Sequence, residues 1–236
     1  MKKSLLAAAL AILSFLSSVQ AQTIAGWTFQ TAASTNNIIG AGLTPSSTQS
    51  GVLADIGTGT ASAFHTTAAT AWSIPSGNGS TNSWSANNWL QNDYWQFQVS
   101  TLGNSGIGVS WDQTGSATGP KNWALQFSTD GSIFTQYGTY SVTSSPAWNP
   151  GTPSGSPLES FAFDLSSITA LNNISAAYFR VVDLSPTTGG AINLGNVGTA
   201  GTGRLDNFFV AVVPEPSSFA LLGLGLLGLR AVRRKG

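Results

Sequence analysis

The chain has 236 residues, no cysteine, nine basic and nine acidic residues and a single histidine, His65. Without cysteine there is no disulfide framework and no thiolate metal site, and one histidine cannot build a centre of several imidazoles. The balanced charge conceals a division: between residues 22 and 213 only Lys121, Arg180 and Arg204 are basic, against eight acidic residues, a net charge of −5 that argues against nucleic acid as a partner.

In chain order, Lys2 and Lys3 precede an apolar stretch from Leu5 to Leu16, then Val19-Gln20-Ala21. A charged start, an apolar centre and a small-residue site read as a secretory signal peptide over residues 1–21, cleaved after Ala21. Residues 22–213 then make one domain, long enough to bury a sizeable core.

That domain opens with an alternating strand, Ile24 to Phe29. Residues 30–60 read as loops and short strands. Ala63-Phe64-His65 and Ala71 to Ile74 are short strand candidates, and Ser76 to Asn92 is a long polar loop containing Trp84 and Trp89. Tyr94 to Ser100 puts Trp95, Phe97 and Val99 on one face and Tyr94, Gln96 and Gln98 on the other. Ile107, Val109 and Trp111 repeat the pattern, as do Trp123, Leu125 and Phe127, the signature of half-buried antiparallel strands. Asp130-Gly131 supplies a hairpin turn, and Tyr137 to Val142 returns. Ser144 to Pro157 reads as a loop. Phe161, Phe163 and Leu165 form a strand face, Ser166 to Asn173 holds a helical turn, and Ala177, Phe179 and Val181 form another strand. Leu184 to Gly203 is a loop with one short strand at Ala191 to Leu194, and Leu205 to Val213 closes the domain. Many short strands without sustained helical periodicity predict an all-β fold, a single antiparallel β-sandwich of the jelly-roll, lectin or carbohydrate-binding-module kind.

Residues 214–236 are different. Pro214-Glu215-Pro216 is incompatible with helix and stays extended. An uncharged apolar run follows, with Phe219, Leu221, Leu222, Leu224, Leu226, Leu227 and Leu229, and ends at Arg230, Arg233, Arg234 and Lys235. Ser217 to Val232 is slightly shorter than the ~20 residues that span a bilayer comfortably, a limit that a snorkelling Arg230 relaxes. The run reads as a transmembrane helix. The basic end after it places the C-terminus in the cytoplasm and the domain outside.

The order Pro214-Glu215-Pro216, apolar run from Phe219 to Leu229, then Arg230, Arg233 and Arg234 resembles the PEP-CTERM sorting signal of Gram-negative bacteria. The resemblance covers about a tenth of the chain. It implies a membrane protease-transpeptidase, exosortase, as partner, acting near Pro214-Glu215-Pro216. It further implies a transient stay in the inner membrane, a destination at the cell surface or extracellular matrix, and an association with exopolysaccharide or biofilm. It implies nothing about what the domain itself does.

Within the domain no catalytic set is visible. There is no G-x-S-x-G elbow, His65 lacks visible triad partners, and the eight acids form no dense cluster of the kind glycosidases use. The expectation is a non-enzyme without a required cofactor; a glycan-active enzyme is the distant alternative. For a structural calcium ion, which needs six or more oxygens, the candidates are Asp206 with Asn207 near the last strand, and Asp130. Their plain readings are a turn residue for Asp130 and an Arg204 partner or turn cap for Asp206. Trp84, Trp89 and Trp148 lie in polar loops, where they either stack on sugar rings or fold back to cover the ends of the sandwich. The sequence thus points to an exported, non-enzymatic envelope protein with a structural or adhesive role in a polysaccharide matrix. The alternative is a carbohydrate-binding module acting through those tryptophans.

Overall fold

A computed structural model describes residues 22–38, 46–143, 146–151 and 158–214. Thr23 to Val213 form one compact unit. The expected signal peptide at 1–21, most of the expected loop at 144–157, and Glu215, Pro216, the apolar run and the basic end lie outside the described residues. Among the described residues no helix is long and apolar enough to cross a membrane.

Among the described residues, thirteen strands carry the fold. They are β1 (Thr23–Trp27), β2 (Thr48–Leu53), β3 (Ile56–Gly57), β4 (Gly59–Phe64), β5 (Trp72–Ser73), β6 (Trp84–Ala86), β7 (Tyr94–Val99), β8 (Ile107–Gly115), β9 (Asn122–Ser128), β10 (Thr135–Ser141), β11 (Ser160–Asp164), β12 (Ala177–Asp183) and β13 (Gly203–Val212). A four-residue helix, α1 (Ala32–Thr35), follows β1, and a 3₁₀ turn at Thr169–Leu171 precedes β12. One sheet runs β11-β8-β13-β1-β3, with β6 on the end of β13 and β5 on β6. The other runs β10-β9-β12-β7-β4-β2, and every pairing is antiparallel.

The alternation in β7 sets the geometry: Trp95, Phe97 and Val99 are buried and Tyr94, Gln96 and Gln98 half-buried on the opposite face. Phe97 stacks flat on Phe208 of the other sheet, ring centroids 3.6 Å apart and 5° from parallel, with the Trp27 ring edge-on at 5.0 Å. These rings join two sheets that hydrogen bonding leaves separate, the packing of a sandwich. A second aromatic group, Trp89, Trp95 and Trp123, is packed with centroids 4.5 to 5.5 Å apart.

The structure departs from the sequence reading in four places. The first strand ends at Trp27, and Phe29, at a φ of 56°, turns out of it while staying buried. The polar stretch 76–92 contains β6, whose Trp84 to Ala86 pair with Gly203 to Leu205. β8 continues past Trp111 to Gly115 because Asp112, Gln113 and Thr114 are buried with ladder partners on β13. The strand expected at Ala191 to Leu194 reduces to a single bridge between Pro120 and Ala191.

Candidate functional site

The three loop tryptophans are inside. Trp84 is 0 %, Trp89 2 % and Trp148 4 % exposed. Trp84 lies edge-on to Phe29 at 6.0 Å, and Trp89 donates its indole N–H to the Ala86 carbonyl at 2.8 Å. Trp148 donates to Glu159 Oε2 at 2.9 Å. As placed, none offers a ring face to solvent, so sugar stacking on these three has no geometric support. The reason is that Trp84 and Trp89 join the hydrophobic core, as large apolar rings do when a core lies within reach, while Trp148 is enclosed beside Glu159 and Arg204.

His65 is also enclosed, between Trp89 at 4.1 Å and Trp72 at 4.7 Å. Burial pushes its imidazole down to about 3, with the backbone of Asn88 and Asn87 acting weakly the other way. Its Nδ1 lies 2.9 Å from Thr70 Oγ1 and 3.5 Å from Asp93 Oδ2. A neutral ring at 0 % exposure cannot meet a substrate in this arrangement.

The polar concentration that does face a cavity lies on the outer side of the β8–β13 ladder. Asp206 of β13 stands directly opposite Asp112 of β8, and the register then slips between Asp206 and Phe209. The slip leaves Asn207 at a φ of 50°, a left-handed conformation that asparagine tolerates. Asn207 thereby swings across the ladder and donates Nδ2–H to Asp112 Oδ2 at 2.9 Å. Ser160 of β11 donates to Asp112 Oδ1 at 2.5 Å.

The 77–80 turn closes over this pair. The Asn78 N–H and the Ser80 hydroxyl donate to Asp206 Oδ2 at 2.8 and 2.7 Å, and the Asn207 N–H donates to Oδ1 at 2.8 Å. Gly77 is required here: a Cβ would lie 2.2 Å from Asp206 Oδ2 and 2.3 Å from the Asn82 carbonyl. Asp112, Asn78, Ser110, Ser160, Asn207 and Phe209 help line a cleft of about 450 Å³.

The electrostatics of this cleft are unbalanced. Asp206 is 0 % and Asp112 6 % exposed. Burial, and in smaller measure the Asp112 charge, push the Asp206 carboxyl up to about 7 against three opposing hydrogen bonds. Among the described residues no Lys or Arg reaches either carboxylate at ion-pair distance; Arg204 senses the Asp206 charge but hydrogen-bonds the Ser76 carbonyl instead. Asn78 is 1 % exposed, yet its side-chain oxygen and nitrogen have no hydrogen-bond partner among the described residues. Two buried carboxylates and an unpartnered amide supply oxygens that a hard divalent cation would take.

Asp206 and Asn207 were legible as candidates; Asp112 and Asn78 were not, because only the strand register and the 77–80 turn bring them in. Asp130 does not join them. It is exposed in the β9–β10 turn, where Oδ1 accepts the Ser132 and Ile133 N–H groups at 2.8 and 2.9 Å. These bonds, with that from the Ser128 hydroxyl, hold its carboxyl below the usual range. It is a turn residue.

The last strand, β13, runs to Val212 and leads into Pro214-Glu215-Pro216, the apolar run and the basic end. The PEP-CTERM protein-sorting motif family matches residues 212–235. The chain ends in a PEP-CTERM sorting motif. That motif implies export, C-terminal membrane anchoring before sorting, and processing by an exosortase. A comparison with curated proteins finds no match. Among solved structures, the chain is similar to the K1 cleaved adhesin domain of Lys-gingipain from Porphyromonas gingivalis W83, at 14% identity, 59% of this chain, 79% of that chain and a TM-score of 0.36. It is similar to TmCBM61, solved in complex with beta-1,4-galactotriose, at 15% identity, 54% of this chain, 69% of that chain and a TM-score of 0.30. A third is CBM28, a non-crystalline cellulose specific carbohydrate-binding module, at 14% identity, 58% and 79% coverage and a TM-score of 0.32. Likenesses this distant carry no weight for function.

Proposed function

We propose that this protein is an exported component of a bacterial envelope, sorted through its tail, whose β-sandwich has a non-enzymatic structural or adhesive role in an extracellular polysaccharide matrix. The observation that carries the reading is the sorting motif at residues 212–235, which begins on the last residue of the final strand. The tail would hold the domain at the outer side of the inner membrane until exosortase acts near Pro214-Glu215-Pro216. The apolar run would be the anchor and Arg230, Arg233, Arg234 and Lys235 its cytoplasmic stop. The test is cell fractionation of the native host expressing the protein with Pro214, Glu215 and Pro216 all changed to alanine. The wild type is expected in the surface or matrix fraction and the variant in the inner membrane. Identical distributions would overturn the role of the motif.

A structural calcium ion is the second part of the reading, favoured by the unpartnered Asn78 amide beside two buried carboxylates. Asp206, Asp112, Asn78 and Asn207 are the residues that would hold it. Such an ion would cancel the like charges on the facing strands and tie the 77–80 turn to β13.

A further inference from the structure

The outward face of the six-stranded sheet carries an arrangement that neither the sorting tail nor the carboxylate cleft uses. Ladder pairing aligns Ser62, Gln96, Arg180, Gln126 and Gln136 in one row across five strands, and sets Phe64 of β4 beside Tyr94 of β7. At a strand spacing of about 4.8 Å the row is about 19 Å long. Phe64 and Tyr94 stack with centroids 5.7 Å apart, and Phe64 remains 39% exposed. The Arg180 guanidinium continues the stack, 3.9 Å from the Tyr94 ring centroid and 3.5 Å from that of Phe134. Its Nε donates to Gln96 Oε1 at 2.8 Å and its Nη2 to Tyr94 Oη at 3.1 Å, which leaves Nη1 without a protein acceptor among the described residues.

The charge on this face is uncompensated. Neither the row nor the aromatic pair contains an acidic residue. Among the described residues Arg180 makes no ion pair, and the one group that favours its charged form is Tyr94, against burial. In a domain with three basic and eight acidic residues, a cation fixed by three side chains and given no carboxylate is costly to keep without a partner. Amides and hydroxyls in a row suit sugar hydroxyls, and exposed aromatic rings suit sugar C–H faces. A fixed guanidinium with a free N–H suits a carboxylate.

We propose that this face binds an anionic polysaccharide, with a sugar ring laid on the exposed Phe64, hydroxyls on the glutamine row, and a sugar carboxylate at Arg180 Nη1. The proposal rests on the reading of the protein as a matrix component and names the ligand class for it. Because binding is measured away from the cell, it can fail while the sorting reading stands, and the reverse.

The test is affinity gel electrophoresis of the full chain in mild detergent, with polygalacturonate, alginate or neutral galactan cast in the gel. Retardation by at least one polyuronate and not by galactan is expected, and it should weaken as salt is raised. Arg180→Gln should weaken binding about tenfold or more, and Arg180→Lys nearly as much, since it keeps the charge but loses the planar fork. Thermal melting checks that each variant folds. If the Arg180 variants do not fold, the exposed Phe64→Ala carries the test, with about a threefold to tenfold loss. No retardation by either polyuronate, equal retardation by galactan, or a folded Arg180→Gln that binds like wild type would overturn the proposal.

Discussion

Asp183→Asn is the sharpest probe of the sandwich interior. Asp183 ends β12 at 0 % exposure; its Oδ1 accepts the Ser185 N–H at 2.7 Å while Oδ2 has no hydrogen-bond partner among the described residues. Burial foremost, and the nearby Asp93 charge last, raise its carboxyl to about 7 from an ordinary 3.8. A folded-state value above the unfolded one means that the native protein holds the proton more tightly. The resulting stability is complete below about pH 3.8 and is lost as pH rises through 7. Between pH 5 and pH 8 the wild type should therefore lose about 2–3 kcal/mol through this one group. Asparagine does not titrate and loses none of it. Its amide hydrogens want acceptors at a cost of about 1–3 kcal/mol, so the variant is expected to be the less stable protein at pH 5 and to gain on wild type as pH rises. Urea unfolding of the released protein at pH 5, 6.5 and 8 measures this, and Asp206 and His65 titrate in both proteins and cancel in the difference. Stabilities of the two that run parallel over the whole range would refute the assignment.

Phe97→Ala removes the ring that joins the sheets at Phe208 and Trp27 and should cost about 3–5 kcal/mol in urea unfolding. A loss below about 1 kcal/mol would mean that the inter-sheet stack does not hold the core. Saturating calcium should raise the melting temperature by about 5–10 °C, with chelator reversing it and Asp112→Asn and Asp206→Asn abolishing the response. Unchanged melting with chelator would remove the calcium reading.

Much of the fold was readable because a strand with one buried face writes its burial into alternate residues. Trp95, Phe97 and Val99 in β7, and Ala177, Phe179 and Val181 in β12, are cases where the pattern and the burial coincide. Local turn chemistry was equally legible: Asp130-Gly131 makes the β9–β10 hairpin, with Gly131 at a φ of 73°. What stayed hidden depends on partners distant in the chain. β6 exists because Trp84 to Ala86 add to the end of β13, more than a hundred residues on, and nothing local in a Ser/Asn-rich stretch signals that pairing. Asp112 was one acid among eight until the register set it opposite Asp206. The outward glutamines of β7 were visible as a polar face. Arg180, Phe64 and Phe134 joined them only once β4 and β12 flanked β7 and the β9–β10 connection brought Phe134 over. The tryptophans mislead by position, since Trp84, Trp89 and Trp148 sit among polar residues in sequence and are buried in space, the first two within the hydrophobic core.

The tail is the reverse case: its meaning is linear. Proline geometry, an uncharged run and a basic end follow one another within residues 212–235, and their order is the signal. Intact-mass and C-terminal peptide analysis of the mature protein, recovered from the cell surface or matrix of the native host, therefore tests the central claim most directly. The account predicts a species that begins at Gln22 and whose chain stops close to Pro214-Glu215-Pro216, lacking Arg230 to Gly236. A surface protein that still carries its sequence through Gly236 would contradict it.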